Sequence, residues 1–326
     1  MLKIGVLGVG HLGKIHLKCI QQIEDYELVG FYDPNDDNAQ EAIKLYNTKR
    51  FDSVESLLEE VDVVDIVTPT TTHFQLAEQA IKAGKHFFVE KPITQTPEEA
   101  QVLCDLLQPT KLKAQVGHVE RFNPAMLALE GITLQPKFIE VHRLATFNPR
   151  GTDVSVVLDL MIHDLDIILK LIDSEVLKVD ATGVAIISDS PDIANARIQF
   201  NNGTTVNITA SRISLKQMRK LRIFQPDAYI SLDFLDKKTE IIRMYDHPIE
   251  GKEHLVELDT GTKKRYIEVN IPTTEPTNAI KMELELLAKA ILEDIPTTVS
   301  LQDGLNALAL AYQINDSITA NELKHV

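Results

Sequence analysis

The stretch KIGVLGVGHLGKIH, from Lys3 to His16, restricts this chain to few folds. An apolar run (Ile4, Val6, Leu7) breaks into Gly8, Gly10 and Gly13, and Leu12, Ile15, Cys19, Ile20 and Ile23 then recur at helical spacing. A strand, a glycine turn and a helix N-terminus make a phosphate cradle. In it Gly8 allows the tight turn, Gly10 lets backbone approach a pyrophosphate, and Gly13 lets the helix pack on the strand. Glycines punctuate loops everywhere, so the motif gains its force from context. Asp33 ends the next apolar run, twenty residues after Gly13, where a carboxylate binds ribose hydroxyls. The turn residues Gly8, Gly10, His11, Leu12 and Gly13, with Asp33, are therefore expected to hold a dinucleotide.

Asp33 also bears on which dinucleotide. A 2′-phosphate needs an Arg or Lys just past this position. Here Pro34, Asn35, Asp36 and Asp37 follow, with no base before Lys44, so NAD is favoured over NADP. Asp36 and Asp37 also read as a solvated loop, but Asp33 alone gives the same preference.

At 326 residues the chain can bury a large core and is expected to form two domains, 1–120 and 121–326. The net charge of −15 excludes a general nucleic-acid binder, which needs a basic surface to displace counterions. No apolar stretch approaches the roughly 20 residues of a membrane helix. The apolar run starts at Leu2 and leads straight into the fold pattern, unlike a signal peptide. Cys19 and Cys104 fall in amphipathic helical patterns and read as core residues of a reducing compartment. A cytoplasmic protein without nucleic-acid or membrane partners is the expectation.

Up to about His118, strand runs alternate with helical patterns, as in a mainly parallel sheet with crossover helices. Strands are predicted at 3–7, 27–32, 50–51, 61–67, 86–90 and 112–116, and helices at 12–23, 38–46, 54–58, 74–83 and 97–107. Thr96 and Pro97 read as N-cap and N1, and Gly84 as a helix stop. Beyond Arg121 long strands dominate, at 137–147, 176–187, 194–200, 204–212, 219–224, 229–234, 240–245 and 266–270. Asn201-Asn202-Gly203 and Asp236-Lys237-Lys238 are hairpin-turn chemistry. One helix, 155–172, interrupts the strands, and two more close the chain at 278–292 and 301–318. The expected class is α/β: a Rossmann domain, then an α+β domain with a large, mostly antiparallel open sheet. The C-terminal helix is positioned to pack back on the first domain. A sheet with helices on one face has another to cover, and a homo-oligomer, dimer or tetramer, is one way to do so.

Ligands bind at the carboxyl ends of parallel strands. The segment Thr68-Pro69-Thr70-Thr71-Thr72-His73 follows one such strand and is expected along the cofactor, with Thr71 or Thr72 capping the next helix. Glu90-Lys91-Pro92 ends the next strand, where an ammonium can stabilise an alkoxide or share its proton. In the helix at 155–172, Asp159 and His163 share one face, and Asp166 continues that stripe along an otherwise apolar pattern. This stripe is either a buried, mutually satisfied pair or part of a reactive site. Metal ligation lacks third and fourth ligands with suitable spacing, so no metal is expected.

The glycine turn, the phrase AGKHFFVEKP (Ala83–Pro92) and the change to a sheet-rich second half resemble the Gfo/Idh/MocA oxidoreductases along essentially the whole chain. The resemblance implies a Rossmann domain followed by an open-faced α/β domain, with Lys91 near the reacting carbon and Glu90 and Pro92 as its matching neighbours. It also assigns Asp159 and His163, in VLDLMIHD, to the other half of the site. Hydride leaves a carbinol carbon while the proton goes to a base, either His163 or Lys91. VGHVERFNP (Val116–Pro124) and RGTDVSVVLDLMIHD (Arg150–Asp164) resemble the nucleotide-sugar branch, whose UDP-N-acetylglucosamine 3-dehydrogenases oxidise the sugar's 3-hydroxyl. His118, Arg121, Asn123 and Arg150 become expected substrate contacts beside Lys91, Asp159 and His163. Residues 193–226 contain no Asp or Glu but several bases, which read as a solvated strand face, a subunit contact or a field that draws in diphosphate. Alternatives are a dehydrogenase of a free sugar, inositol or UDP-sugar uronate, and a non-catalytic NAD-binding sensor.

Overall fold

The computed structural model describes residues 1–148, 154–249, 255–259 and 261–322, and Arg150 lies outside them. Two compact units emerge: residues 1–122 with 278–309, and residues 123–277 with 310–326. The division differs from a single cut near residue 120, because the chain returns to its first unit after residue 277.

In the first unit the elements run β1 (Leu2–Leu7), α1 (His11–Ile20), β2 (Tyr26–Tyr32), α2 (Asp36–Tyr46), α3 (Val54–Glu60), β3 (Val63–Ile66), α4 (His73–Lys82), β4 (His86–Glu90), α5 (Pro97–Leu107) and β5 (Ala114–Gly117). Among the described residues these strands form one parallel sheet in the order β2-β1-β3-β4-β5. The predicted strand at 50–51 is reduced to a single bridge between Arg50 and Phe31. Local chemistry sets several boundaries. The Thr96 hydroxyl accepts the Glu99 N–H at 3.3 Å, with Pro97 in the first turn of α5, and Gly84 ends α4 at a φ of +70°.

The second unit holds α6 (Pro124–Leu127), β6 (Phe138–Leu144), a π-helical turn (Val157–Met161) leading into α7 (Ile162–Leu171), and then β7 (Val176–Val184), β8 (Ile193–Phe200), β9 (Thr205–Ser211), β10 (Met218–Gln225), β11 (Ala228–Asp233), β12 (Lys238–Tyr245), β13 (Val256–Asp259) and β14 (Lys264–Asn270). Their sheet has the order β13-β14-β12-β11-β10-β6-β9-β8-β7 and is antiparallel except where β6 meets β9. Gly203 (φ +83°) and Lys237 (φ +55°) turn the two predicted hairpins. Alternate residues such as Ala196, Ile198, Val206, Ile208, Leu221 and Ile223 face one buried core, shared with Leu165 and Ile168 of α7. The predicted continuous α-helix over 155–172 instead opens with the π turn, a geometry common at functional sites.

Two helices close the chain. α8 (Ala279–Leu292) belongs to the first unit, where Leu284, Leu287 and Ala288 pack with Ile4, Leu17 and Ile20. Each buried leucine contributes about 1.5–3 kcal/mol, enough to recruit the helix. α9 (Leu301–Glu322) gives its residues up to Ala309 to the first unit and those from Leu310 to the second.

Candidate active site

The turn after β1 has a backbone only glycine fits. Gly8 sits at φ +87°, and a Cβ there meets the Val67 carbonyl oxygen at 2.8 Å. At Gly13 a Cβ would lie 2.0 Å from the Gly8 carbonyl oxygen, so α1 lies directly against the turn. At Gly10 a Cβ meets nothing within 4 Å. Gly10 is also the N-cap of α1 and offers no capping side chain, which leaves the helix N-terminus open for an anion.

A cleft of about 870 Å³ opens here, lined by Gly8, Gly10, His11, Leu12, Asp33, Thr68, Pro69, Glu90 and Lys91, all predicted for the cofactor. Gly13 supports the turn from behind. Thr70 and His73 also stay out of the lining. The His73 ring instead bridges two strand exits, with Nδ1 2.8 Å from the Pro92 carbonyl and Nε2 2.9 Å from that of Thr68. Burial pushes the His73 pKa down, against the pull of those carbonyls. The expected threonine cap does not form at Thr72: its hydroxyl lies 2.7 Å from Thr68 Oγ1 and 2.9 Å from the Pro69 carbonyl and leaves the α4 N–H groups alone. The loop's own carbonyl and hydroxyl offer closer partners.

Asp33 is buried and does two jobs. Its Oδ2 accepts the Val9 N–H and its Oδ1 the Asn35 N–H, each at 2.8 Å, so this carboxylate, expected at the ribose, clamps the glycine turn to the end of β2. A base that linear spacing hid reaches this end: Arg50 Nη1 pairs with Asp36 at 2.7 Å and Nη2 donates to the Asp33 carbonyl at 2.9 Å. Asp36 offsets its charge, and Arg50 does not line the cleft. The glycine geometry, open helix end and Asp33 fit NAD.

At the exit of β4 the Lys91 N–H donates to Glu90 Oε2 at 3.2 Å. Behind Glu90 lies a buried group absent from the expected site. His16 Nδ1 is 2.9 Å from Asp65 Oδ2, and His16 Nε2 is 3.2 Å from Glu90 Oε1. Glu283 of α8 joins them, fully buried, with both carboxylate oxygens lacking a hydrogen-bond partner. A Cβ at Gly117 would lie 2.9 Å from the Glu90 carboxyl, so glycine makes its room. Signals existed in the sequence: a charge in the buried strand β3 and another on the apolar stripe of α8.

In the second unit Asp159 lies in the π turn and His163 in the first turn of α7, both half-buried. The next residue, Asp164, forms a buried bidentate pair with Arg143 of β6, at 2.6 and 2.9 Å, and anchors α7 to the sheet. Asp166, read as part of the polar stripe, is buried too.

The remaining predicted substrate residues are deeply set. His118 is buried. Arg121 reaches Asp303 at 3.2 Å and the Thr298 carbonyl at 3.4 Å, within the first unit. Asn123 caps α6 through the Ala125 N–H and donates to the Phe234 carbonyl, both at 3.0 Å. Bases between 193 and 226 pair locally, Arg222 with Glu140, Lys220 with Asp233 and Arg212 with Asp192. Arg222 and Lys220 thus belong to a salt-bridged strand face, whereas the Arg212–Asp192 pair is buried.

Comparison with known proteins places this geometry. The Gfo/Idh/MocA oxidoreductase-family profile, an NAD-binding Rossmann fold, matches residues 2–118, and the C-terminal domain profile of the same family matches residues 134–230. The chain belongs to this family. As a Gfo/Idh/MocA member it is an NAD-binding oxidoreductase. It is 37% identical over 320 residues to the UDP-N-acetylglucosamine 3-dehydrogenase of Acidithiobacillus ferrooxidans, covering 98% of each chain. A solved structure of that dehydrogenase superposes with a TM-score of 0.88 at 36% identity over 98% of both chains. The inositol 2-dehydrogenase of Rhizobium meliloti is 26% identical over 324 residues, covering 95% of this chain and 94% of its own. No helix among the described residues is long and apolar enough to cross a membrane.

Proposed function

We propose that this Gfo/Idh/MocA protein oxidises a secondary hydroxyl of a nucleotide sugar, C3 of UDP-N-acetylglucosamine, with Lys91, Asp159 and His163 as its catalytic side chains. The observation that carries the substrate is end-to-end likeness to the Acidithiobacillus 3-dehydrogenase at 37% identity, well above that to the inositol enzyme. NAD, when bound, supplies the hydride acceptor. The His163 imidazole takes the hydroxyl proton as the carbonyl forms. The Lys91 ammonium stabilises the developing alkoxide, and Asp159 orients the imidazole or the sugar. Gly8, Gly10, His11, Leu12, Asp33, Thr68, Pro69 and Glu90 bind the cofactor. His118, Arg121 and Asn123 are proposed as substrate contacts, Arg121 being held by Asp303 and Asn123 by the Phe234 carbonyl. The sheet face opposite the core carries the tilted, neighbouring rings of Phe138, Phe224 and Tyr229, which suits self-association of a cytoplasmic enzyme.

The test is NADH formation from NAD with UDP-N-acetylglucosamine, a carbonyl trap being added to pull the equilibrium. UDP-sugar uronates, free sugars and inositols complete the panel. Turnover only of an inositol, or cofactor binding without turnover of any substrate, refutes the reading. Lys91→Ala and His163→Ala should each lower kcat by roughly 10²- to 10⁴-fold while NADH still binds. Full activity in both removes the site assignment.

A further inference from the structure

The buried group behind Glu90 holds more acid than its neighbours can neutralise. His16, Asp65, Glu90 and Glu283 offer three carboxylates and one imidazole. His16 faces a carboxylate at each ring nitrogen, Asp65 Oδ2 at 2.9 Å and Glu90 Oε1 at 3.2 Å, which favours protons on both nitrogens; the imidazolium then neutralises Asp65. Glu283 is fully buried, no hydrogen bond reaches either of its oxygens, and its nearest charged neighbours include another carboxylate. The nearby cation, His16, already faces two other carboxylates, so an ionised Glu283 would be a third negative charge against it, and Glu283 keeps its proton. Burial first, then the Glu90 charge, pushes its pKa well above the usual range. His16 is also held well above its ordinary value: burial opposes the proton, but Asp65 and Glu90 outweigh it. One negative charge remains, on Glu90, the member that lines the cleft.

Sheet order says which part of the dinucleotide Glu90 faces. Asp33 follows β2, the glycine turn follows β1, Thr68 follows β3 and Glu90 follows β4, in the spatial order β2-β1-β3-β4. With ribose at Asp33 and pyrophosphate at the glycine turn, the far end of the cleft is the nicotinamide end. Oxidised nicotinamide is a ring cation and the reduced ring is neutral. At that end the cation also meets the Lys91 ammonium.

We propose that His16, Asp65 and Glu283 form a buried proton-holding seat that keeps Glu90 as the first unit's counter-charge at the nicotinamide end, so that the cleft favours the oxidised cofactor over the reduced one. The inference rests on the NAD reading of the cleft and extends it to redox-state preference.

The test is a pair of binding constants, NADH by fluorescence titration and NAD by competition. Glu90→Gln should weaken NAD roughly tenfold relative to NADH, the scale of one unit charge in a half-buried site. Glu90→Asp, which draws the charge back, should move the ratio the same way by less and serves if the glutamine variant does not fold. Equal weakening of both cofactors overturns the proposal while leaving the NAD reading intact; failure of the parent to bind either form removes both. Infrared spectra of the holoprotein should show a protonated-carboxyl band that Glu283→Gln deletes, and an unchanged spectrum refutes the seat. His16, Glu90 and Glu283 have donor atoms within 4.8 Å of one another, and one divalent ion would leave the same residual charge as two protons. Stoichiometric metal in the purified protein would therefore also overturn the proton reading.

Discussion

Replacing Asp164 with alanine takes away one half of a buried ion pair. Both side chains are nearly sealed from water, at 4% and 2% exposure, and the guanidinium meets both carboxylate oxygens. Arg143 lies on β6, in the middle of the nine-stranded sheet, where no hydration can replace the lost partner. Removing one partner of a buried pair in such a site costs about 3–5 kcal/mol. For a unit of this size each kcal/mol lowers Tm by about 2–4 °C, so the expected fall is roughly 6–20 °C. Calorimetry and urea titration of Asp164→Ala and Arg143→Met measure it. The double variant Arg143→Met/Asp164→Leu should recover most of the loss, because two apolar side chains need neither partner nor water. A loss under about 1 kcal/mol in both single variants, or a double variant no better than the worse single one, would refute the reasoning.

Other outcomes follow from single sites. Gly8→Ala forces an L-residue to φ +87° against the Val67 carbonyl, and should cost about 1–3 kcal/mol in urea titration and weaken NADH fluorescence binding. Glu283 has a raised folded pKa, so its contribution is full below the unfolded value of about 4.3 and is lost as pH rises towards the folded one. Glu283→Gln needs no proton to be buried; its urea midpoint should therefore gain on the parent's between pH 5 and 8. For Asp192 burial is outweighed by hydrogen bonds from Ile187 N–H, the Ser188 hydroxyl, and the Ile186 and Ser188 N–H groups, so its pKa falls far below the usual range. That stability is present above the unfolded pKa of about 3.9 and lost as pH falls towards the folded one. In acid titrations below that value, the parent should lose stability more steeply than Asp192→Asn.

Much of this protein was legible in its sequence because the relevant forces act between near neighbours. The glycine turn needs a positive φ at Gly8, α5 needs the Thr96 cap and Pro97, and the β8–β9 hairpin needs Gly203. Alternation along β8 and β9 fixes which side chains face the core, whatever the sheet's final order. Those local rules, with Asp33 twenty residues past Gly13, determine a Rossmann unit followed by an open sheet and point to NAD. Long-range convergence carries no such periodicity. Arg50 arrives beside Asp33, Asp303 takes Arg121, and α8 crosses more than 250 residues of sequence to bury Leu284 and Glu283 in the first unit. Only tertiary structure could decide that the lysine's neighbour Glu90 stands on His16, Asp65 and Glu283. Burial makes each of those charges depend on the others, and burial is a property of the packed whole.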